Sequence, residues 1–383
     1  MDKRDFIRVA GGGVIASIFA SSLTTGAALA SAVGDGVWEP LAQRESDPRR
    51  RALAFAQLAP NPHNMQPWIV DLRGVDQIHV SIDRARLLPV TDPFDRQITV
   101  GTGAFLALLQ LAAEAQGYGV EMHAFPEGAS GDRLDDRPVA LIRLHAGAPV
   151  ARDPLFAQVL SRRTSRVAFK SDPVEPRQLE AMLTSAREAG LLADGVVDGA
   201  RLGGLRHLTE EAALVEQGDR AANGESADRT FIGSRAVAEH PWGIGLRGMK
   251  FDMLAATGLL TREELKTPGS AAYQGQIDFM RSLARSSAGF VWITTPGNSR
   301  LDQLSAGRAY LRLNLAASAQ GLGIQPMSQA LQEYASMAPL FQRAHALLAP
   351  GGGRVQMLAR IGVVAERVAH APRRGIDALI RKS

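Results

Sequence analysis

Two distant stretches of this chain repeat one pattern, and this internal similarity constrains the fold more than any other feature. Residues 111–120 are LAAEAQGYGV and residues 315–324 are LAASAQGLGI, and they align without a gap. In the same register Gly103 aligns with Gly307, and Leu109 with Leu313. Each stretch predicts a buried, alanine-rich helix that ends at a glycine and leads into a strand. We therefore expect two related halves within one chain.

The remaining patterns predict mixed helices and strands in both halves. Alternating polarity predicts a hairpin from residues 68–72 and 78–82, and further strands at residues 139–144, 290–295 and 357–364. Helical patterns cover Pro176 to about Ala189 and Gln276 to Ser286. These elements predict an α+β protein whose halves span residues 45–150 and 151–383.

A stretch of the second half, from about residue 216 to residue 272, has no counterpart in the first half. It is polar at first and then carries large apolar residues among glycines. An insertion of this kind often forms a lid over a site. The alternative is an ordinary surface excursion that packs on the core.

Composition excludes several classes of protein and of site. The 383 residues are 45% hydrophobic and 21% charged, which excludes disordered, collagen-like and coiled-coil chains. The net charge of +4 is small and the basic residues are scattered, so nucleic acid is not an expected partner. Cysteine is absent, which excludes disulfides, a thiol nucleophile and iron–sulfur clusters.

Residues 1–32 have the pattern of a secretory signal peptide. A basic start is followed by a mildly apolar stretch and by A-x-A patterns at residues 28–30 and 30–32. The segment Lys3–Ile7 resembles a twin-arginine signal with Lys in place of the first Arg. We expect export by the twin-arginine machinery to the periplasm or cell envelope, and no stable membrane span in the mature chain. The alternative is an amphipathic or membrane-anchoring helix.

The usual signatures of hydrolases and nucleotide-binding enzymes do not occur. The sequence has no H-E-x-x-H, G-x-S-x-G or Walker A motif, and no G-x-G-x-x-G that opens a βαβ unit. Its eight histidines are not at metal-ligand spacing. We therefore predict no metal site and assign no catalytic residue.

A basic segment, residues 161–169, suits a phosphate group. It contains Arg162, Arg163 and Arg166, and guanidinium groups offer planar, charge-assisted donor pairs. On an extended segment Arg162, Thr164 and Arg166 would point the same way. The alternative is a solvated basic loop.

A second polar cluster, residues 59–68, is stiffened by prolines. Its Asn and Gln amides supply both donors and acceptors, which suits the heteroatom edge of a flavin. The alternative is a rigid connection from helix to strand with Trp68 in the core.

Together these two clusters resemble the signature pair of the FMN-dependent nitroreductases. The matching motifs are Pro60-x-x-x-Asn64-x-Gln66-Pro67-Trp68 and Arg162-x-Thr164-x-Arg166. In that family one motif comes from each subunit, and FMN lies at the dimer interface. Here each motif occurs once, one in each half. The chain thus resembles the Acg-type branch, in which two nitroreductase-like halves are fused into a pseudo-dimer.

The resemblance extends from about residue 45 to the C-terminus and implies a nitroreductase-like fold with one FMN site. Arg162, Thr164 and Arg166 would contact the phosphate, ribityl chain and pyrimidine edge. The implied flavin-lining residues of the other half are Pro60, Asn61, Asn64 and Gln66. The segment near the flavin ring is Gln325, Pro326, Met327 and Ser328. Arg373 and Arg374 would complete the phosphate pocket; the alternative for them is a solvated basic tail.

The implied activity is that of an FMN-dependent oxidoreductase with a small-molecule reductant. It would transfer electrons or hydride through flavin N5 to a small electrophilic acceptor, a nitro compound or a quinone. One alternative is a protein that sequesters or stores FMN with little turnover. Another is a scaffold whose cofactor pocket has decayed.

Overall fold

The structure is a computed structural model that describes residues 36–38, 45–147, 150–187, 191–366 and 368–381. The predicted export signal, residues 1–32, lies outside the described residues.

The helices of the described chain are α1 Pro48–Ala56, α2 Arg96–Glu114, α3 Pro176–Arg187, α4 Gly199–Gly218, α5 Arg220–Asp228, α6 Ser234–Glu239, α7 Met249–Ala256, α8 Arg262–Lys266, α9 Ala271–Arg285, α10 Arg300–Ala319 and α11 Ala338–Leu348. The strands are β1 Trp68–Asp71, β2 Gln77–Ile82, β3 Tyr118–Ala124, β4 Ala140–Ala146, β5 Leu192–Val196, β6 Thr230–Ile232, β7 Ile244–Leu246, β8 Gly289–Thr295, β9 Leu322–Pro326 and β10 Arg354–Val363. Each of these helices is shorter or less apolar than a bilayer crossing requires.

Two four-stranded antiparallel sheets share one topology. The first has the order β1-β2-β4-β3 and the second has the order β5-β8-β10-β9. Numbered along the chain within each sheet, both orders are first, second, fourth, third. The α+β class and the internal duplication are therefore confirmed.

The predicted hairpin is confirmed, with Trp68 paired to Ile82 across β1 and β2. The predicted strand at residues 290–295 is β8, and the strand predicted at residues 357–364 is β10, which begins earlier, at Arg354. Helix α9 also begins earlier than its periodicity indicated. Its N-cap is Ser270, whose hydroxyl accepts a hydrogen bond from the Tyr273 amide.

The long helices α2 and α10 are the two repeated helices, and they cross where their aligned glycines meet. A Cβ on Gly103 would lie 2.0 Å from the Leu304 carbonyl oxygen. A Cβ on Gly307 would lie 1.9 Å from the Val100 carbonyl oxygen. Glycine is therefore required at both positions, because backbone touches backbone there.

Most of the stretch of residues 216–272, namely residues 219–270, forms a small body of its own between α4 and α9. Residue 216 lies within α4, which continues to Gly218. The short strands β6 and β7 pair in parallel. The buried apolar residues of this body are Ala227, Phe251, Leu254, Leu260 and Leu265, and they cluster with Ala272 of α9. That it acts as a lid, and that the halves divide at residue 150, stay predictions.

The C-terminal segment returns to the first half of the chain. The Val70 amide donates to the Leu379 carbonyl at 2.8 Å, and the Arg381 amide donates to the Val70 carbonyl at 2.7 Å. This pairing fixes residues 371–374 beside the loop that precedes β1.

Candidate functional site

The loop of residues 60–67 has a strained backbone. His63, Asn64 and Gln66 have φ values of 48°, 53° and 50°, in the left-handed region that side chains other than glycine rarely adopt. The Asn61 side-chain oxygen accepts a hydrogen bond of 2.8 Å from the Gln66 amide and holds the loop closed. Strain of this kind persists only where the surroundings fix it, and it concentrates at functional sites.

Arg373 joins this loop to the end of α1. Its guanidinium donates to the Asn64 Oδ1 at 2.6 Å. It also donates to the carbonyls of Gln57, Leu58 and Ala59, at 2.8, 3.1 and 3.2 Å. Those carbonyls directly follow the C-terminus of α1, where the helix dipole is negative. Burial nevertheless lowers the pKa of Arg373 to about 9, with a smaller contribution from the charge of Arg162.

Arg162 is a buried cation with unused donors. Its Nη2 donates to the Leu58 carbonyl at 2.8 Å, whereas its Nε and Nη1 have no hydrogen-bond partner among the described residues. Burial lowers the pKa of Arg162 to about 10. A buried guanidinium without a carboxylate is costly unless an anion binds it. The pair of Arg162 and Arg373 therefore fits an anionic group such as a phosphate.

Arg166 and Arg162 both lie within electrostatic reach of Tyr310 in α10. Both charges act on the buried hydroxyl of Tyr310, whose pKa burial raises to about 12. The Arg166 side chain is exposed, yet surrounding protein lowers its pKa. The described part of the chain supplies no hydrogen-bond partner for its guanidinium.

The basic segment runs beside β9. The Ser165 amide donates to the Ile324 carbonyl at 2.9 Å, which brings the half-buried Thr164 close to the start of the segment that includes Gln325. The Oε1 atom of Gln325 accepts a 2.8 Å hydrogen bond from the Arg360 Nε, and the Ser328 hydroxyl donates to the Leu358 carbonyl at 3.1 Å. The side chains of Gln325 and Ser328 thus form hydrogen bonds within the protein itself.

The two residues between them are also part of the fold. Pro326 faces Ala359 across β9 and β10. Met327 is fully buried, and its amide donates to the Leu358 carbonyl at 2.9 Å.

Polar groups of the 60–67 loop also contact the C-terminal segment. The Asn64 Nδ2 donates to the Pro372 carbonyl at 3.0 Å. The Gln66 Oε1 accepts a hydrogen bond from the Arg374 amide at 2.9 Å, and the Arg374 Nη1 donates to the Gln66 carbonyl at 3.1 Å. Pro60 is buried in the same loop. The structure thus brings together predicted residues from the beginning, middle and end of the chain.

The Trp38 ring contacts three of the arginines, a role that no sequence motif indicated. Its ring stacks on His370 at a centroid distance of 4.0 Å. The guanidinium carbons of Arg162, Arg163 and Arg373 lie 5.4, 5.7 and 5.4 Å from the ring centroid. Cation–π contacts of this type partly compensate buried positive charge.

The body of residues 219–270 touches the 60–67 loop directly. The Gln66 Nε2 donates to the Pro241 carbonyl at 2.9 Å, and the Gly243 amide donates to the Asn64 carbonyl at 3.0 Å. Nearby, the Arg86 guanidinium lies 4.7 Å from the Trp242 ring centroid. The loop is therefore held from two sides.

A polar chain that sequence reasoning missed links the same loop to α4. The His63 Nε2 lies 3.0 Å from the Ser226 Oγ, which lies 3.1 Å from the Glu216 Oε1. His63 falls inside the loop motif, but Ser226 and Glu216 belong to no recognisable motif.

Two cavities of the described protein lie elsewhere or at the margin. One, of about 820 Å³, lies between residues 151–155, α3 and Arg312. The other, of about 260 Å³, includes Arg374 and residues 375–378. The larger one carries none of the predicted site residues.

No protein-family model matches the chain. Its sequence is similar to that of a Mycobacterium tuberculosis protein with the provisional name of NAD(P)H nitroreductase, at 24% identity over 343 residues, 86% of this chain and 90% of the relative. A Serratia protein, PigM, named in the same provisional way, is 26% identical over 199 residues, 50% of this chain and 53% of the relative.

Similarity to the M. tuberculosis protein Acg, also provisionally named an NAD(P)H nitroreductase, is 27% identity over 183 residues, 45% of this chain and 51% of Acg. Among solved structures, a provisionally named nitroreductase of Anabaena variabilis aligns with 91% of this chain and 99% of its own, at 12% identity and a TM-score of 0.44. The FMN-dependent nitroreductase NfnB of Mycobacterium smegmatis aligns with 59% of this chain and 96% of its own, at 18% identity and a TM-score of 0.36. The chain is thus similar in sequence to several proteins that carry the name of nitroreductase.

Proposed function

We propose that the protein is an FMN-dependent oxidoreductase of the nitroreductase type. The observation that carries the proposal is the buried Arg162, whose Nε and Nη1 have no hydrogen-bond partner among the described residues, beside the buried Arg373, which donates to neutral oxygens but has no carboxylate partner there. A phosphate would supply both the missing charge and the missing acceptors. The names of the sequence relatives support the same activity.

Each part of FMN has candidate partners in the described chain. Arg162 and Arg373 would hold the phosphate, and Thr164 the ribityl chain. Arg166 would supply positive charge at the pyrimidine edge, where it stabilises negative charge. Asn64, which belongs to the other half of the chain, would line the flavin, in a loop whose strain fixes its position.

FMN, when bound, supplies hydride transfer between a reductant and a small electrophilic acceptor. The protein's own task is to bind, orient and supply charge, which is why a site without an acid–base pair next to the arginines is sufficient. We propose nitro compounds or quinones as acceptors and NAD(P)H as the laboratory reductant. If residues 1–32 direct export, the physiological reductant is a different one, because NAD(P)H is confined to the cytoplasm.

A second function, storage or sequestration of FMN, is favoured by the contacts of Pro241 and Gly243 with the 60–67 loop. A body held against the loop in this way would restrict access to bound cofactor. The FMN would then be protected rather than used.

Anaerobic reduction separates the two functions. The FMN-loaded protein is mixed with NADPH or with dithionite, and the flavin absorbance is followed; a quinone is then added. Rapid bleaching by NADPH and rapid reoxidation by the quinone are expected for the oxidoreductase. Bleaching by dithionite alone would contradict turnover with NADPH and favour storage. A protein that cannot be loaded with FMN would contradict both functions.

A further inference from the structure

Three side chains from three separate segments form one continuous hydrogen-bonded chain. His63 belongs to the strained loop of the first half, Ser226 to α5 and Glu216 to α4. The distances are 3.0 Å from His63 Nε2 to Ser226 Oγ and 3.1 Å from Ser226 Oγ to Glu216 Oε1. Ser226, the middle member, is buried.

The hydrogen bonds between these three side chains can run in either of two directions without any change in heavy-atom positions. In one order the His63 Nε2–H donates to Ser226, and the Ser226 hydroxyl donates to an ionised Glu216. In the other order a protonated Glu216 donates to Ser226, Ser226 donates to the His63 Nε2, and the proton of the imidazole is on Nδ1. The second order holds one proton more than the first, so passage from the second order to the first releases the proton of the His63 Nδ1.

The far side of that ring is available for a ligand. The described residues supply no hydrogen-bond partner for the His63 Nδ1. The ring lies within the electrostatic reach of Arg166, the exposed cation that we place at the cofactor. His63 also lies between Asn61 and Asn64 in the loop proposed to line the flavin.

Burial and the surrounding charges set the protonation states of Glu216 and His63, the two ends of the hydrogen-bonded chain. Burial raises the pKa of Glu216, against hydrogen bonds from Ser226 and two Gln side chains and the charge of Arg166. Burial lowers the pKa of His63 to about 4, with the charges of Arg166 and Arg229 acting in the same direction. Tyr334 also lies within the electrostatic reach of Glu216, and burial raises the pKa of Tyr334. Near neutral pH the imidazole is therefore neutral, and the carboxyl retains a proton more readily than an exposed one does.

We propose that Glu216, Ser226 and His63 form a relay that supplies the proton taken up by the acceptor when it is reduced. The proposal rests on the proposed oxidoreductase function and adds to it the source of the proton. An acceptor such as a quinone takes up two electrons and two protons. Hydride delivery from the cofactor, which an NAD(P)H-class reductant has reduced, accounts for both electrons and one proton.

The remaining step is a proton transfer in which no electrons leave the protein. The His63 Nδ1–H bond breaks, and the proton goes to the oxygen anion of the reduced acceptor. The His63 Nε2 takes the Ser226 hydroxyl proton, and the Ser226 Oγ takes the proton of Glu216. Glu216 is left as a carboxylate. The starting order returns before the next turnover when the His63 Nδ1 takes up a proton from solvent, the Nε2 proton returns to Ser226 and the Ser226 proton returns to Glu216. Positioned acid groups of this kind contribute about 10²–10⁴-fold to a rate.

The test compares Ser226→Ala with Ser226→Thr in the FMN-loaded protein. The alanine variant breaks the relay, while the threonine variant keeps its hydroxyl. NADPH turnover is measured with a quinone, which needs protons, and with ferricyanide, which takes electrons alone. We expect the ratio of the quinone rate to the ferricyanide rate to fall at least about tenfold in Ser226→Ala. The ratio is expected to recover in Ser226→Thr.

A readout independent of turnover is the infrared carboxyl band of the protein without cofactor. We expect a band of a protonated carboxyl that is absent in Glu216→Gln and shifted in Ser226→Ala. Its titration midpoint should lie above that of an exposed glutamic acid. Absence of such a band would overturn the relay whatever the activity.

The outcomes also separate the relay from the function on which it rests. An unchanged rate ratio in Ser226→Ala, in a protein that reduces both acceptors, overturns the relay alone. A parent protein that reduces neither acceptor contradicts the oxidoreductase function and the relay together. Loss of both rates in Ser226→Ala and in Ser226→Thr identifies Ser226 as a structural support, which also overturns the relay.

Discussion

Gly103 of α2 and Gly307 of α10 lie against each other where the two halves of the chain meet. A Cβ on Gly307 would lie 2.9 Å from the Gly103 Cα and 1.9 Å from the Val100 carbonyl oxygen. The two positions are equivalent in the internal repeat, so the duplication placed the same residue on both sides of one contact. The first half contributes the 60–67 loop and the second half contributes the basic segment. The position of one relative to the other therefore depends on this crossing.

Gly307→Ala should therefore destabilise the protein by about 3 kcal/mol or more, since the added methyl group meets backbone that cannot rotate away. The free energy of unfolding is measured by urea denaturation. The matched control is Gly204→Ala, also within a helix but with open space at the Cβ position. That variant should gain up to about 1 kcal/mol from helix propensity. Equal effects of the two variants would contradict the close crossing.

Arg162→Met should stabilise the protein in the absence of ligand by about 1–4 kcal/mol, because an uncompensated buried cation is replaced by an apolar chain of similar length. The Leu58 carbonyl keeps its hydrogen bond from Arg373. The same variant should lose the increase in melting temperature that FMN produces in the parent protein. Arg235→Met, at an exposed arginine, is the control and should keep that increase. An Arg162→Met protein that FMN still stabilises fully would contradict the phosphate assignment.

Trp38 should report binding at the arginines through its fluorescence. Its ring contacts His370 and three guanidinium groups, so an anion that enters the cluster changes its surroundings. We expect inorganic phosphate or FMN to change the fluorescence emission of the parent protein. The contribution of Trp38 to this change should be absent in Trp38→Phe. FMN also quenches by energy transfer, so phosphate is the decisive ligand. An identical phosphate response in Trp38→Phe would place the anion elsewhere.

His63 should make the protein sensitive to acid. Its pKa in the folded state is about 4, below the ordinary value of 6.5, so the unfolded chain binds more protons between these values. Stability therefore falls as the pH drops through this window, by about 1–3 kcal/mol for a half-buried ring. His63→Asn, which tolerates the left-handed backbone, should flatten this pH dependence in urea unfolding. The same slope in variant and parent would contradict the shifted pKa.

The sequence predicted the parts of this molecule that depend on local pattern. The patterns of the repeated helices, of the hairpin at Trp68 and of the basic segment at Arg162 each consist of residues that are close together in the sequence. Periodicity and spacing therefore identify them. The polar chain of Ser226 and Glu216 escaped prediction because its members meet only in the folded chain. Trp38 escaped for the same reason, since nothing near it in sequence indicates its contact with His370.

Strands β6 and β7 were also not predicted. Each has three residues, too few for alternation to be visible. Their parallel pairing is set by the body of residues 219–270 as a whole rather than by local propensity.

The central claim, that one FMN binds between the two halves, is tested most directly by the visible absorption spectrum of the protein purified from about residue 33 without added flavin. The account predicts oxidised-flavin bands, with about one FMN released per chain on heating. A colourless protein that also fails to bind added FMN would contradict it.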